Sequence, residues 1–219
     1  MQKTIVEKHF DKVSGSYDIG KKRYSLYYQN LKRLLSELIP LKSNVLEIGC
    51  GTGDLLVSLK PKKGYGFDLS HKMINIANRK YSKLKELNFS YTYPSNFFDY
   101  IFMSDVVEHL QNRAEEFKKV SNLMKKDSKF ILTMANPRWE PLLIFWEKVG
   151  WKMPEGPHER VSCKILSREI EAVDMKIIHH NYKLLMPIQI PIITSFVNRY
   201  LERYFRNFAF IEYLVAVKV

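Results

Sequence analysis

An α/β fold, doubly wound around a mostly parallel sheet with helices on both faces, is predicted by two observations. Short strand-like runs alternate with amphipathic helical runs along the chain, the pattern of successive βα units. The first strand also runs straight into a glycine-rich turn, VLEIGCGTGDLL at 45–56, that opens the next helix. With 219 residues, 46% of them hydrophobic, one such unit can bury its core without disulfide or metal staples.

The elements follow in order. KRYSLYYQNLKRLLSELI at 22–39 spaces Tyr27, Leu31, Leu34, Leu35 and Leu38 as a helix that Pro40 ends. SNVLEIG at 43–49 is a short apolar strand, and DLLVSLK after the glycines is a helix. GYGFD is a strand closed by Asp68, and SHKMINIANRKYSKL is a helix capped by Ser70, with Met73, Ile76 and Ala77 on one side. NFSYT and FDYIFMS are strands, EEFKKVSNLM a helix, KFILTMA a strand, and EPLLIFWEKV a helix with Pro141 in its first turn. WKMPEGPHERVSC at 151–163 reads as a loop. SREIEAV is then a helix, MKIIHHNYKLL a strand, ITSFVNRYLERYF a helix and FIEYLVAVKV a final strand. A ligand is expected at the carboxyl ends of the strands, where such sheets open a crevice.

Composition narrows the function classes. Cys50 and Cys163 are far apart and in no C-x-x-C pair, so neither a disulfide framework nor a thiolate metal site is indicated. No H-E-x-x-H spacing or carboxylate cluster points to a metal, and none is expected. The opening MQKTIVEKHFDKV lacks the apolar segment of a secretory signal, so a cytoplasmic protein is expected. LLMPIQIPII at 184–193 is too short to span a bilayer and is broken by Pro187 and Pro191. The 35 Lys and Arg against 23 Asp and Glu leave a formal charge of +12, a field that attracts nucleic acid or an anionic lipid surface. No repeat or low-complexity linker divides the chain.

Gly49, Cys50, Gly51, Thr52 and Gly53 sit where the first strand turns into its helix. Glycine allows the tight turn and lets ligand atoms approach a main chain whose N–H groups and helix N-terminus are expected to be free. A dinucleotide fingerprint would need its third glycine one place later than Gly53, which disfavours a nicotinamide oxidoreductase. Asp68 lies at about the interval expected of a carboxylate that accepts both ribose hydroxyls. A nucleoside ligand other than a dinucleotide is the reading that fits.

LEIGCGTGDL, GYGFDLSHKMI and FDYIFMSDVVEHL resemble the first three signature blocks of the class I S-adenosylmethionine-dependent methyltransferases. The opening HFDKVSGSYD is similar to that of the ubiquinone and menaquinone biosynthesis methyltransferases, departing from it at Ser14–Ser16. The resemblance covers about residues 9–136 and thereafter is one of layout. It implies a Rossmann-like seven-stranded sheet with a reversed last strand, and S-adenosylmethionine as cofactor. It places Glu47, Gly49, Cys50, Gly51 and Gly53 along the methionine part, Asp68 on the ribose, and Leu69 and Met73 beside the adenine. Tyr17 would cover the cofactor, and Ser104 at the end of FDYIFMS joins the set. The chain departs from the family after strand three, where NFSYTYPSNFFD carries no acid before Asp99 to receive the adenine amino group; backbone, Ser90 or Ser95 are left to do so. On this basis the single domain 1–219 divides into a helical cap at 1–40, a cofactor-binding core at 41–136 and an acceptor-side portion at 137–219.

A sulfonium methyl is already activated, so positioning is the larger effect and few catalytic side chains are required. A hydroxyl or phenol acceptor would gain from a base titrating near neutrality, and histidine is the first suspect. His109, after the fourth strand in SDVVEHL, and His158, in GPHERVS, are the candidates; packing or capping for His109 and solvation for His158 are the alternatives. Glu108 could orient His109. His179 and His180 are adjacent in a strand and point to opposite faces, so they cannot share a site.

The acceptor is expected to be a small organic molecule, apolar or aromatic and lipid- or quinone-like. Trp139, Trp146 and Trp151 could wall its pocket. The helix in ITSFVNRYLERYFRNFAF sets apolar pairs four apart, with Arg199, Arg203 and Arg206 on the other side. It either covers core, rests on an anionic membrane surface, or covers an apolar substrate. RNA ranks second as acceptor, because SDVV stands where an amino-methylating N-P-P-Y or D-P-P-Y motif would be. A module that binds S-adenosylmethionine without turnover is the remaining alternative.

Overall fold

A computed structural model describes residues 4–149, 159 and 161–219. His158 and Trp151 lie outside the described residues. The sheet strands are β1 Asn44–Ile48, β2 Lys63–Phe67, β3 Leu87–Ser90, β4 Phe98–Ser104, β5 Met124–Ala135, β6 Met175–Lys183 and β7 Ile211–Lys218. They form one seven-stranded sheet in the order β3-β2-β1-β4-β5-β7-β6. The first five strands pair in parallel, and β7 is antiparallel to both of its neighbours, the reversed last strand that was expected.

Helices cover both faces. On one, α3 (Ser25–Leu38), α4 (Asp54–Ser58) and α5 (His71–Lys80) bring Leu31, Leu35, Leu56 and Ala77 onto Val45, Phe102 and Val215. On the other, α6 (Arg113–Asn122) and α8 (Cys163–Glu171) bring Phe117, Val120, Leu166 and Ile170 onto Leu46, Ile101 and Leu214. Neighbouring residues of β1 and β4 thus feed opposite cores, the period of two that makes a central strand read as a continuous apolar run.

Local chemistry sets several boundaries. Ser70 caps α5 by accepting the Met73 amide at 3.2 Å, as its position predicts. Ile39 is extended because the following proline disfavours helical geometry before it, and α3 stops. The run expected as one helix over 22–39 is two: α2 (Tyr17–Arg23) ends at Tyr24, with φ −106° and ψ 33°, and α3 begins at Ser25. Before them, α1 (Ile5–Val13) is capped by Thr4. The helix expected over 193–205 is also shorter. Four α-helical residues, α9 (Ile193–Phe196), widen into a π-helical turn at Val197–Leu201, closed by a bond from the Glu202 amide to the Val197 carbonyl. Apolar pairs four apart exceed the 3.6-residue period, and an i→i+5 turn absorbs the excess. Finally, α7 (Glu140–Lys148) follows β5, and none of the described helices is long and apolar enough to cross a membrane.

Candidate active site

The site grows from the carboxyl end of β1. Gly51 has φ +51°, and a Cβ on it would lie 3.2 Å from the Tyr17 ring; Gly53, at φ +84°, would drive a Cβ to 2.6 Å from Phe89. The first glycine lets an aromatic cover the turn, while the second lets β3 pack beneath it. The loop amides are not free, contrary to expectation. Gly49 and Cys50 both donate to the Phe67 carbonyl, at 2.7 and 3.0 Å, and Gly51 donates to Asp68 Oδ2 at 2.7 Å. The turn is held by β2 and so presents a rigid surface.

Asp68 follows β2 and also accepts the Ser70 amide at 2.8 Å. Burial pushes its carboxyl up to about 6, against the lowering effect of those two amides. Glu47, on β1, accepts the Leu56 amide at 3.0 Å and pins the first turn of α4; its carboxyl is also raised by burial. Ser104 ends β4 with its hydroxyl buried and lacking a hydrogen-bond partner among the described residues.

The helical cap is tied to the turn by charge. Lys21, on α2, donates to Thr52 at 3.0 Å and pairs with Asp54 at 2.5 Å, while Lys80 bridges Asp18 and Asp54 at 2.8 and 2.7 Å. Tyr81 also donates to Asp54, and the two lysines and this hydroxyl hold the Asp54 carboxyl well below the usual range. This clamp seats Tyr17 on Gly51, and the Tyr17 hydroxyl bonds Tyr28.

A cavity of about 570 Å³ runs from this turn across the ends of β1, β2 and β4. Of the expected cofactor residues, Tyr17, Glu47, Gly49, Cys50, Gly51, Asp68, Leu69, Met73 and Ser104 line it, and Gly53 does not. His109 lines it from a 3₁₀ turn at Val107–His109, with its ring edge-on to Phe10 at 5.4 Å. Ser90 and Ser95 do not reach it, and Ser90 Oγ accepts the Thr92 amide.

Residues outside the expected set complete the walls. Tyr27 donates to both oxygens of Asp105, at 2.8 and 2.6 Å, and Asp105 sits at φ +56° just past β4. The Tyr27 ring meets Phe210 edge-on at 5.5 Å, and Leu143, Ile188 and the expected Trp146 continue this apolar end, whereas Trp139, also expected there, does not line the cavity and donates its indole N–H to the Phe208 carbonyl at 2.8 Å. At the opposite end Tyr93 donates to Glu116 at 2.9 Å, and both line the cavity. Periodicity places Tyr27 in a helical stripe without telling where its hydroxyl reaches, and Glu116 reads as solvated until α6 is docked.

Away from the cavity, Cys163, His180 and Glu212 bring sulfur, nitrogen and oxygen within 4.8 Å of one another. Glu212 there accepts from the Cys163 thiol and the Tyr182 hydroxyl and lies 2.8 Å from His180 Nε2, a group satisfied by its own hydrogen bonds. His179 approaches Tyr213 on the other face of the sheet, so the two histidines diverge as expected.

A family model described as a methyltransferase domain matches residues 19–208, most of the chain. The chain belongs to the methyltransferase-domain family. Malonyl-[acyl-carrier protein] O-methyltransferase 2 of Ilyobacter polytropus is 28% identical to this methyltransferase domain, over 57% of the chain and 51% of that protein. Demethylmenaquinone methyltransferase of Bacillus licheniformis is 24% identical, over 53% of the chain and 56% of that protein. The chain thus spans about half the length of the curated relatives it matches. A SAM-dependent methyltransferase of Thermotoga maritima shares the fold with a TM-score of 0.69 at 16% identity, covering 98% of this chain and all of that one. The methyltransferase domain has the class I fold, whose cofactor is S-adenosylmethionine. Its site fits that group on three counts: a cradle at Gly51 that a Cβ would crowd, a buried carboxylate at Asp68 and an orphaned hydroxyl at Ser104, all on one cavity.

Proposed function

We propose that this chain transfers a methyl group from S-adenosylmethionine to a small organic acceptor with an apolar or aromatic body, of lipid- or quinone-like character. The observation that carries this reading is the continuity of one cavity from the Gly51–Asp68 turn to the aromatic end at Tyr27, Trp146 and Phe210. When bound, the cofactor supplies a methyl already activated on sulfur. Asp68 would accept the ribose hydroxyls. Glu116, steadied by Tyr93, would accept the adenine amino group in place of the acid missing after β3. Tyr17 would exclude water from the turn. Tyr27 and Asp105 would orient the acceptor, and His109 would take a proton from an acceptor hydroxyl.

The two curated relatives are named for acting on malonyl-[acyl-carrier protein] and demethylmenaquinone, which supports an acceptor other than nucleic acid. The test is calorimetric titration with S-adenosylmethionine and S-adenosylhomocysteine, followed by transfer of labelled methyl to quinols, lipids and RNA in one preparation. Micromolar binding with label in a quinol or lipid supports the reading. Binding with label only in RNA, or in no acceptor, replaces it with the RNA or non-catalytic alternative.

A further inference from the structure

Residues 184–208 are built inside out. Thr194 accepts the Ile190 amide at 2.8 Å and donates to the Ile188 carbonyl at 2.6 Å. Asn198 accepts the Met186 amide at 2.7 Å and donates to its carbonyl at 3.0 Å, and Glu202 accepts the Leu184 amide at 2.7 Å. These polar residues, spaced four apart, form the inward face and hold the strap at 184–190 in place. The outward residues are Ile192, Ile193, Phe196, Tyr200, Tyr204 and Phe205, with Ile192 87% and Tyr204 67% exposed. An ordinary surface helix does the reverse. A contiguous exposed apolar face of this kind marks an interaction surface.

We propose that this face is a docking surface for an anionic lipid bilayer, placed so that an apolar acceptor passes from the membrane into the cavity. Charge selects this occupant. Arg199, Arg203 and Arg206 are exposed among the apolar side chains, and Arg199 and Arg203 lie over the Tyr200 and Tyr204 rings at 5.6 and 4.6 Å. Cations beside aromatic rings suit an interface where phosphates lie above hydrocarbon. A second copy of the chain would bring another +12 against these arginines, and a nucleic acid would leave the isoleucines and phenylalanine without a partner. Position gives the purpose, since Pro187, Ile188 and Gln189 of the strap line the cavity on which these residues are stapled. The inference rests on the proposed acceptor only for that purpose; binding to lipid is measured without cofactor or turnover.

The experiment is sedimentation of the full chain with vesicles of phosphatidylcholine alone and of phosphatidylcholine with phosphatidylglycerol. Binding is expected only to the anionic vesicles and should weaken with salt. R199Q/R203Q/R206Q should lower the affinity by about 100-fold, from roughly a fivefold effect per cation near an anionic surface. F196S/Y200S should abolish binding while leaving the melting temperature within about 2 °C of wild type, since surface changes cost little. Hydrogen exchange of the wild type gives a measure that needs no variant: anionic vesicles should protect residues 188–208. Absence of sedimentation, protection elsewhere in the chain, or a dimer in solution that F196S/Y200S dissociates would each overturn the proposal. Failure here with intact S-adenosylmethionine binding removes the docking surface alone; loss of cofactor binding removes the functional reading instead.

Discussion

The Gly51 amide donates to Asp68 Oδ2 at 2.7 Å, so the turn after β1 and the residue after β2 form one unit. The carboxylate proposed to hold a ribose is thereby fixed by the same backbone that makes room for the Tyr17 ring. Its two amide bonds do not fully offset burial, and the group titrates at about 6 instead of near 3.8.

That shift predicts opposite pH trends for stability and binding. Between about 4 and 6 the folded chain binds more protons at Asp68 than the unfolded chain does, so this group's contribution to stability is fully present below that window and lost as pH rises through it. The loss is on the order of 3 kcal/mol by neutral pH. Ribose hydroxyls donate to the ionised form, so cofactor affinity should rise through the same window. Asp68→Asn should remove both slopes and weaken S-adenosylhomocysteine by about 10- to 100-fold, the range for a hydrogen bond to a charged group. Calorimetry and thermal melts at several pH values check this, and a wild-type affinity that is flat across the window contradicts it.

The two glycines should separate binding from stability. Gly51→Ala places a methyl against Tyr17 at the cavity, so it should lower cofactor affinity at least tenfold with a modest change in melting temperature. Gly53→Ala meets Phe89 in the core and sits at φ +84°, so it should cost about 2–4 kcal/mol in folding, combining backbone strain and overpacking. Equal effects of the two on affinity would show that the turn works only as scaffold.

Glu116 predicts a base preference. S-inosylhomocysteine replaces the adenine amino donor with an oxygen acceptor and should bind at least tenfold more weakly than S-adenosylhomocysteine, because a carboxylate then faces an acceptor. Glu116→Gln, which can donate as well as accept, should narrow that gap. If the wild type binds both equally, the adenine amino group is received elsewhere.

For His109→Ala, turnover on an oxygen acceptor should fall by about 10²-fold or more, the usual worth of a general base, with cofactor affinity unchanged. A rise in KM at constant kcat would make the imidazole a positioning group.

The sheet, its alternation and the glycine-turn end of the cavity were legible in the sequence because their causes are local. Glycines at a strand–helix turn, Asp68 at a strand end and Ser70 before a helical run each carry their geometry in their own chemistry. The break at Tyr24 has no glycine or proline to announce it; the clamp through Lys21 and Asp54 joins residues 33 apart and sets it. The aromatic end of the cavity was less legible for the same reason. Tyr27 belongs to an amphipathic stripe, and only docking of α3 against β4 turns its hydroxyl to Asp105. For residues 184–208 the spacing of apolar pairs was visible, but which side faces inward depends on Thr194, Asn198 and Glu202 finding backbone partners 6, 12 and 18 residues upstream.

The reversed strand has a consequence for how the chain is made. β7 follows β6 in sequence yet lies between β5 and β6, so during synthesis β6 emerges before it has any neighbour to pair with. Strands β1 to β5 can assemble from segments already out of the ribosome, whereas β5 keeps an open edge until Ile211–Lys218 arrives to pair on both sides. That last step joins distant segments and is the slow kind of contact. The nascent chain therefore passes through an interval in which strands β1 to β5 are assembled and β5 and β6 still present unpaired edges, the state most exposed to aggregation and most open to rescue by a chaperone.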